Sequence, residues 1–241
     1  VAILIWGCVF CAIAALCIFL SSNYDREKRR YLILMESFAS LLLLMDAMAH
    51  IFSGYPGVPG SVMVRISSFL VFLLSDVVLL CFHIYVCVYL FSKRERRTLK
   101  RVKAGYVIAA AEVAFVVISQ FTHWHYYIDG DNCYHRAPLY IMSILLSAAG
   151  LLIDLTLLLQ YKKRVSRKLL FSMLSCIVLP AVAAAVQAFW YGISLIEFSV
   201  GISMIIMFIV TMTELNQEMY QLISREGKIK ERLEIATILN K

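Results

Sequence analysis

Lys93-Arg94-Glu95-Arg96-Arg97-Thr98-Leu99-Lys100-Arg101-Val102-Lys103 crowds seven basic residues between two apolar runs, roughly 66–91 and 104–121. A run of that length suits a hydrocarbon core of ~30 Å, which takes about 20 helical residues to cross. Outward from this junction, five more runs read roughly 1–20, 31–52, 139–160, 169–189 and 195–213. Of the 23 Lys and Arg residues, 21 fall on one side of the sevenfold pattern, and Arg65 and Arg136 fall on the other. The connections after the first, third and fifth runs carry four, seven and five, and the tail after the seventh carries five. Short loops rich in Lys and Arg stay in the cytoplasm, so the asymmetry predicts an N-terminus outside and a C-terminus in the cytoplasm. The expected fold is all-α: a seven-helix transmembrane bundle over 1–213, then a cytoplasmic coiled-coil-like helix over 214–241.

Composition closes off other classes. The chain is 61% hydrophobic with a mean hydropathy of +0.80, far outside the soluble range. The pI near 9.0 does not point to nucleic acid, because the basic residues sit in short loops where topology and anionic lipid explain them. Residues 1–20 lack a basic leader and a small-residue cleavage site, so they read as a true span. Six of seven cysteines lie within spans; Cys133, outside, has no extracellular partner, so no disulfide framework is expected. The chain starts at Val1 without Met and stops at Lys241 inside a helical pattern, which reads as a piece of something longer.

The connections differ in character. Ser53-Gly54-Tyr55-Pro56-Gly57-Val58-Pro59-Gly60 is rich in turn formers and is expected to be a loop. The segment Thr122 to Pro138 is the longest outer connection, and Trp124, Tyr126, Tyr127, Tyr134 and Tyr140 suit an interfacial aromatic belt. It is expected to cap the bundle, with Arg136 pairing with Asp129 or Asp131. Trp190-Tyr191-Gly192-Ile193-Ser194 reads as a tight turn, and Pro180 should kink the sixth span. Past the seventh run, Met212, Leu215, Met219, Leu222, Glu226, Ile229, Leu233, Ala236 and Asn240 follow a three-four spacing. That is the seam of a coiled coil, with polar residues at Glu226 and Asn240.

Six acids fall inside the runs: Glu36, Asp46, Asp76, Glu112, Asp154 and Glu197. A carboxylate at the bilayer centre costs about 2.5–3.5 kcal/mol on insertion scales, so these should face the bundle interior or a wet cavity. Asp46 and His50 share a helix face at i, i+4, and Asp76 and His83 at i, i+7. The alternative role is structural, as polar glue between helices. The preferred ligand site is an outer cavity lined by Asp46, His50, Asp76 and Glu197. His123, His125, Asp129, Asp131, Cys133 and His135 are metal ligands by type, but their spacing matches no established motif, and no metal or cofactor is expected. The chain has no G-x-S-x-G, phosphate loop or H-E-x-x-H. The seventh run has no lysine for a retinal Schiff base.

The loop Tyr126-Tyr127-Ile128-Asp129-Gly130-Asp131-Asn132-Cys133-Tyr134-His135-Arg136-Ala137-Pro138-Leu139-Tyr140 resembles one in bacterial seven-helix sensor modules. Those modules precede diguanylate cyclase, GAF or histidine kinase domains. Phe189-Trp190-Tyr191-Gly192-Ile193-Ser194-Leu195 is similar to their last hairpin, and Glu231 to Leu239 resembles a linker into such an effector. Asp129, Asn132, Tyr134 and Arg136 match the loop pattern, whereas Cys133 and Ala137 depart from it. The resemblance implies a stimulus-sensing membrane domain without catalysis of its own.

The expectation is therefore a multi-pass cell-membrane receptor module. An extracellular or membrane-borne small molecule would bias the packing of the spans. The signal would leave through Leu215, Met219, Leu222, Ile229 and Leu233 to an output domain, in a homodimer joined through this helix. A small transporter or channel using intramembrane carboxylates is the alternative, although no half of the chain repeats the other. An intramembrane hydrolase would need a convergent nucleophile and base.

Overall fold

The computed structural model describes residues 1–21, 25–189 and 194–239, with side chains up to 229 apart from 188, 218 and 228. Among the described residues seven helices are long and apolar enough to cross a membrane, the mark of a multi-pass membrane protein. They are α1 (Ala2–Leu20), α2 (Arg26–Phe52), α3 (Gly57–Leu90), α5 (Lys100–Thr122), α6 (Tyr140–Gln160), α7 (Arg167–Phe189) and α8 (Leu195–Leu239). A short helix α4 (Lys93–Thr98) occupies the most basic connection, and two strands, β1 (Tyr126–Ile128) and β2 (Tyr134–Arg136), lie between α5 and α6.

Helix starts at the basic end follow local chemistry. Asp25 caps α2 by accepting the Glu27 and Lys28 amides at 3.0 and 3.1 Å. Ser92 and Glu95 form a reciprocal capping box on α4. Side chains then lace this end together. Arg96 Nη2 donates to Glu27 Oε1 at 2.8 Å, and Arg164 Nη1 to Leu90 O at 2.8 Å.

α2 packs between α1 and α3, α5 against α3 and α6, and α7 along α8, while α8 closes back on α1 and α2. The main core lies where α2, α3, α6, α7 and α8 meet, built on Met35, Leu43, Tyr85, Leu158, Leu169 and Met207. Ile3, Trp6, Phe19, Leu145, Leu152 and Phe171 are exposed on the outside of the bundle. All six span acids are buried. Apolar residues facing outward and acids facing inward are the arrangement a lipid solvent demands.

Two expectations are corrected. The segment Gly57 to Gly60 is not loop but the first turn of α3, with Pro56 as N-cap. Pro59 fits there because the first turn of a helix has amides without an intrahelical acceptor, so a missing N–H costs little. Gly60 is obligatory, since a Cβ would stand 2.0 Å from Tyr55 O. The aromatic belt is split: Trp124 and Tyr127 are exposed, whereas Tyr126 turns inward. Pro180 lies inside α7. The turn Trp190 to Ile193 lies outside the described residues.

α8 is a single helix of 45 residues. At 1.5 Å per residue it is about 67 Å long, more than twice a ~30 Å hydrocarbon core. Met212 and Leu215 still pack against the main core. The base of α8 is tied to α7 through Ser166 and Glu214, and through Lys168 Nζ to Gln217 Oε1 at 3.2 Å. Beyond that tie Leu222 and Ile229 are exposed at 60% and 57%, and Met219 at 37%. The side chains of Leu233, Ala236 and Asn240 lie outside the described residues.

Candidate functional site

The connection between α5 and α6 is a cap made of an antiparallel hairpin, pairing Tyr126 with Arg136, Tyr127 with His135 and Ile128 with Tyr134. Its turn is built by two of the residues singled out in the sequence. Asp129 Oδ1 accepts the Asp131 and Cys133 amides at 3.0 and 2.8 Å, a side-chain-closed turn. Those amides and His135 hold the Asp129 carboxyl below the usual carboxylate range. Asn132 takes the left-handed conformation, φ 62°, which Asn tolerates better than most residues. Its Nδ2 donates to Tyr55 O at 2.9 Å and its carbonyl accepts from the Gly54 amide at 3.1 Å, pinning the hairpin to the α2–α3 connection.

The expected partner of Asp129 is wrong. Its Oδ2 accepts from His135 Nε2 at 2.7 Å, because the register sets His135 on the side of the turn. Arg136 runs the other way: Nη1 and Nη2 donate to Gln187 O at 3.3 and 3.4 Å, and the guanidinium lies 4.7 Å above the Tyr140 ring. Gln187 Oε1 in turn accepts the Ile196 amide at 3.0 Å in the first turn of α8. Hairpin, α7 and α8 are thereby joined in one polar chain.

His125 anchors the hairpin from below. It is fully buried and stacks on Tyr140 at 5.3 Å, with Phe72 at 4.2 Å and Phe115 at 5.7 Å. Neither ring nitrogen has a hydrogen-bond partner among the described residues, and burial pushes its pKa down to about 4. Such a histidine acts as a neutral aromatic. Among the described residues no three His, Cys, Asp or Glu side chains converge on a metal position.

Beneath the cap lies a cavity of about 300 Å³. α2 contributes Asp46, Ala49 and His50, and α3 contributes Val64, Ser68, Val71 and Phe72. Tyr134 and Arg136 enter from β2, Tyr140 from α6, Gln187 from α7, and Ser194 and Glu197 from the start of α8. His50 Nε2 lies 2.7 Å from Ser194 Oγ and 3.7 Å from Asp46 Oδ1. Asp46 Oδ2 and Glu197 Oε2 are buried and have no hydrogen-bond partner among the described residues. Of the eight ligand candidates, Asp46, His50, Glu197, Tyr134 and Arg136 come together here. Asp129 and Asn132 build the cap instead.

Asp76 does not reach the cavity wall. It lies within Coulombic reach of Glu112 on α5. Nor does Asp76 meet His83, as the shared helix face suggested. His83 Nδ1 is 2.6 Å from Asp154 Oδ1 on α6 and Nε2 is 3.1 Å from Val102 O. Glu112, Asp154 and His83 border a second cavity of about 20 Å³, room for one water. Sequence reasoning missed Gln187 and Ser194. Both are ordinary polar residues at helix ends and carry no motif.

Searches of protein-family models, of curated proteins and of solved structures return no match to this chain.

Proposed function

We propose that the chain is a membrane-embedded sensory module: a small molecule in the capped cavity biases the packing of α8, and α8 carries the change to an output domain of the diguanylate cyclase or histidine kinase type. The observation that carries this reading is the position of Glu197. It is on the cavity wall and in the first turn of α8, a helix that continues unbroken to Leu239. A displacement at Glu197 is therefore a displacement of a rod whose other end stands clear of the bundle. Gln187, bonded to the Ile196 amide and to Arg136, couples the cap to the same turn.

The orientation follows from the segregation of basic residues, which puts the hairpin outside and the free end of α8 in the cytoplasm of a cell membrane. Two such helices would pair through Met219, Leu222 and Ile229, with Leu233 continuing the spacing, to form a homodimer. The ligand would act by population shift, favouring one of two packings for which it has unequal affinity.

Single cysteines at Leu222 and at Ile229 in native membranes test the reading. Symmetric disulfides are expected at both, with a yield that changes in Glu197→Gln. No disulfide at either position, or a yield indifferent to every cavity substitution, would overturn it.

A second reading is favoured by one specific observation. Below the cavity, Asp76, Glu112 and the Asp154–His83 pair form a buried succession of acidic groups, as a proton-coupled transporter would use. Proton uptake into liposomes that falls in Glu112→Gln would favour the transporter over the sensor.

A further inference from the structure

We infer that the cavity takes a small organic amine, its ammonium head held by Asp46 and Glu197 and its apolar body laid along Val71 and Phe72. This deepens the sensory reading and rests on the cavity being the stimulus site.

Charge balance comes first. The wall carries two carboxylates, Asp46 and Glu197, and one guanidinium, Arg136. Counting both carboxyls as ionised and histidine as uncharged, the formal sum is one negative charge. Asp46 and Glu197 are only 6% and 8% exposed, so bulk water does not screen the excess. An occupant of charge +1 neutralises it; an anion or a zwitterion does not.

Hydrogen bonding gives the same answer. Among the described residues Asp46 Oδ2 and Glu197 Oε2 have no hydrogen-bond partner. A primary ammonium has three N–H donors and no acceptor, which matches two carboxylate oxygens and one hydroxyl such as Ser68.

Size and lining exclude a bare ion. The volume of about 300 Å³ is roughly ten times the share of a water molecule in the liquid, so a metal ion would leave it nearly empty. Among the described residues no three His, Cys, Asp or Glu side chains are placed to hold a metal ion. Val64, Val71 and Phe72 form an apolar wall against which hydrocarbon packs and whose aromatic ring tolerates a nearby cation.

The test uses the purified chain in lipid nanodiscs and calorimetric titration with methylamine, butylamine and phenethylamine. The uncharged 2-phenylethanol and the anionic phenylacetate serve as counterparts of phenethylamine. Butylamine or phenethylamine is expected to bind, with the alcohol and the acid at least tenfold weaker. Asp46→Asn and Glu197→Gln should each weaken amine binding at least tenfold, and Asp76→Asn, a buried acid off the cavity wall, should not. The comparison of amine with alcohol needs no variant, so a folding defect cannot blur it. Absence of binding by all three amines, equal binding of the alcohol, or undiminished binding by the Asn and Gln variants would overturn the inference. In the last case a proton shared between the two acids balances the charge. The two readings fail separately. If no amine binds yet cavity substitutions alter the disulfides at Leu222 and Ile229, only the ligand class is wrong. If amines bind and the disulfides never respond, the sensory role is wrong.

Discussion

His83 on α3 and Asp154 on α6 form a buried pair, Nδ1 to Oδ1 2.6 Å, with side chains 5% and 4% exposed. Both ring nitrogens of His83 face acceptors, the second being Val102 O at 3.1 Å. A doubly protonated ring beside a carboxylate fills both bonds. Removing one partner leaves the other charge uncompensated, a change that typically costs about 3–5 kcal/mol. Asp154→Ala should therefore destabilise the bundle by that order in detergent unfolding. The double variant His83→Phe, Asp154→Leu should recover most of it, and a double variant no more stable than the single one would refute the pairing argument.

Gly105 on α5 exists for the same pair. A Cβ there would lie 2.2 Å from His83 Cε1, inside van der Waals contact. Overpacking of this kind costs about 1–3 kcal/mol. Gly105→Ala should lower the unfolding midpoint in the chain as it stands but have little effect in a His83→Ala background. Equal losses in both backgrounds would show that the ring is not what the alanine meets.

The cap should weaken in acid. His125 titrates near its ordinary value in the unfolded chain but at about 4 in the folded one, where burial opposes the charge. Between those values the unfolded state binds the extra proton, so stability falls as pH drops from about 6.5 to about 4, then levels. The shift corresponds to about 3 kcal/mol. The groups around the ring are Phe72, Phe115, Tyr126 and Tyr140, none of which titrates in that window. Hydrogen exchange of the hairpin amides should accelerate over this range, and His125→Phe should flatten the response. A Phe variant with the same pH profile would assign the effect elsewhere.

Asn132 combines a left-handed backbone with a side-chain bond to Tyr55 O. Asn132→Ala loses both and should cost about 2 kcal/mol of local stability, read as faster proteolysis of the Asp129–Cys133 turn. Asn132→Gly keeps the backbone freedom and loses the bond, so it should fall between the two. Cleavage of the glycine variant as fast as the alanine one would leave the conformational part without effect.

Much of this molecule is written along one dimension. Run length and hydropathy depend only on neighbouring residues and on the thickness of the solvent slab, so all seven spanning helices are legible from the chain. The inward placement of the six acids is equally legible, because lipid penalises a charge whatever the fold. Partners are another matter. Asp76 and His83 share a face, yet seven residues are two turns, about 10.5 Å along the axis, too far for a hydrogen bond. Packing of α6 against α3 brings Asp154 to His83 instead. Likewise Asp46 and Glu197 come to one cavity only because α8 closes back on α2, and Arg136 reaches it only through the register of a hairpin that no apolar run announces. Periodicity tells which side of a helix turns inward; which inward groups meet depends on how helices far apart in the chain lean on one another, and that is decided by packing alone.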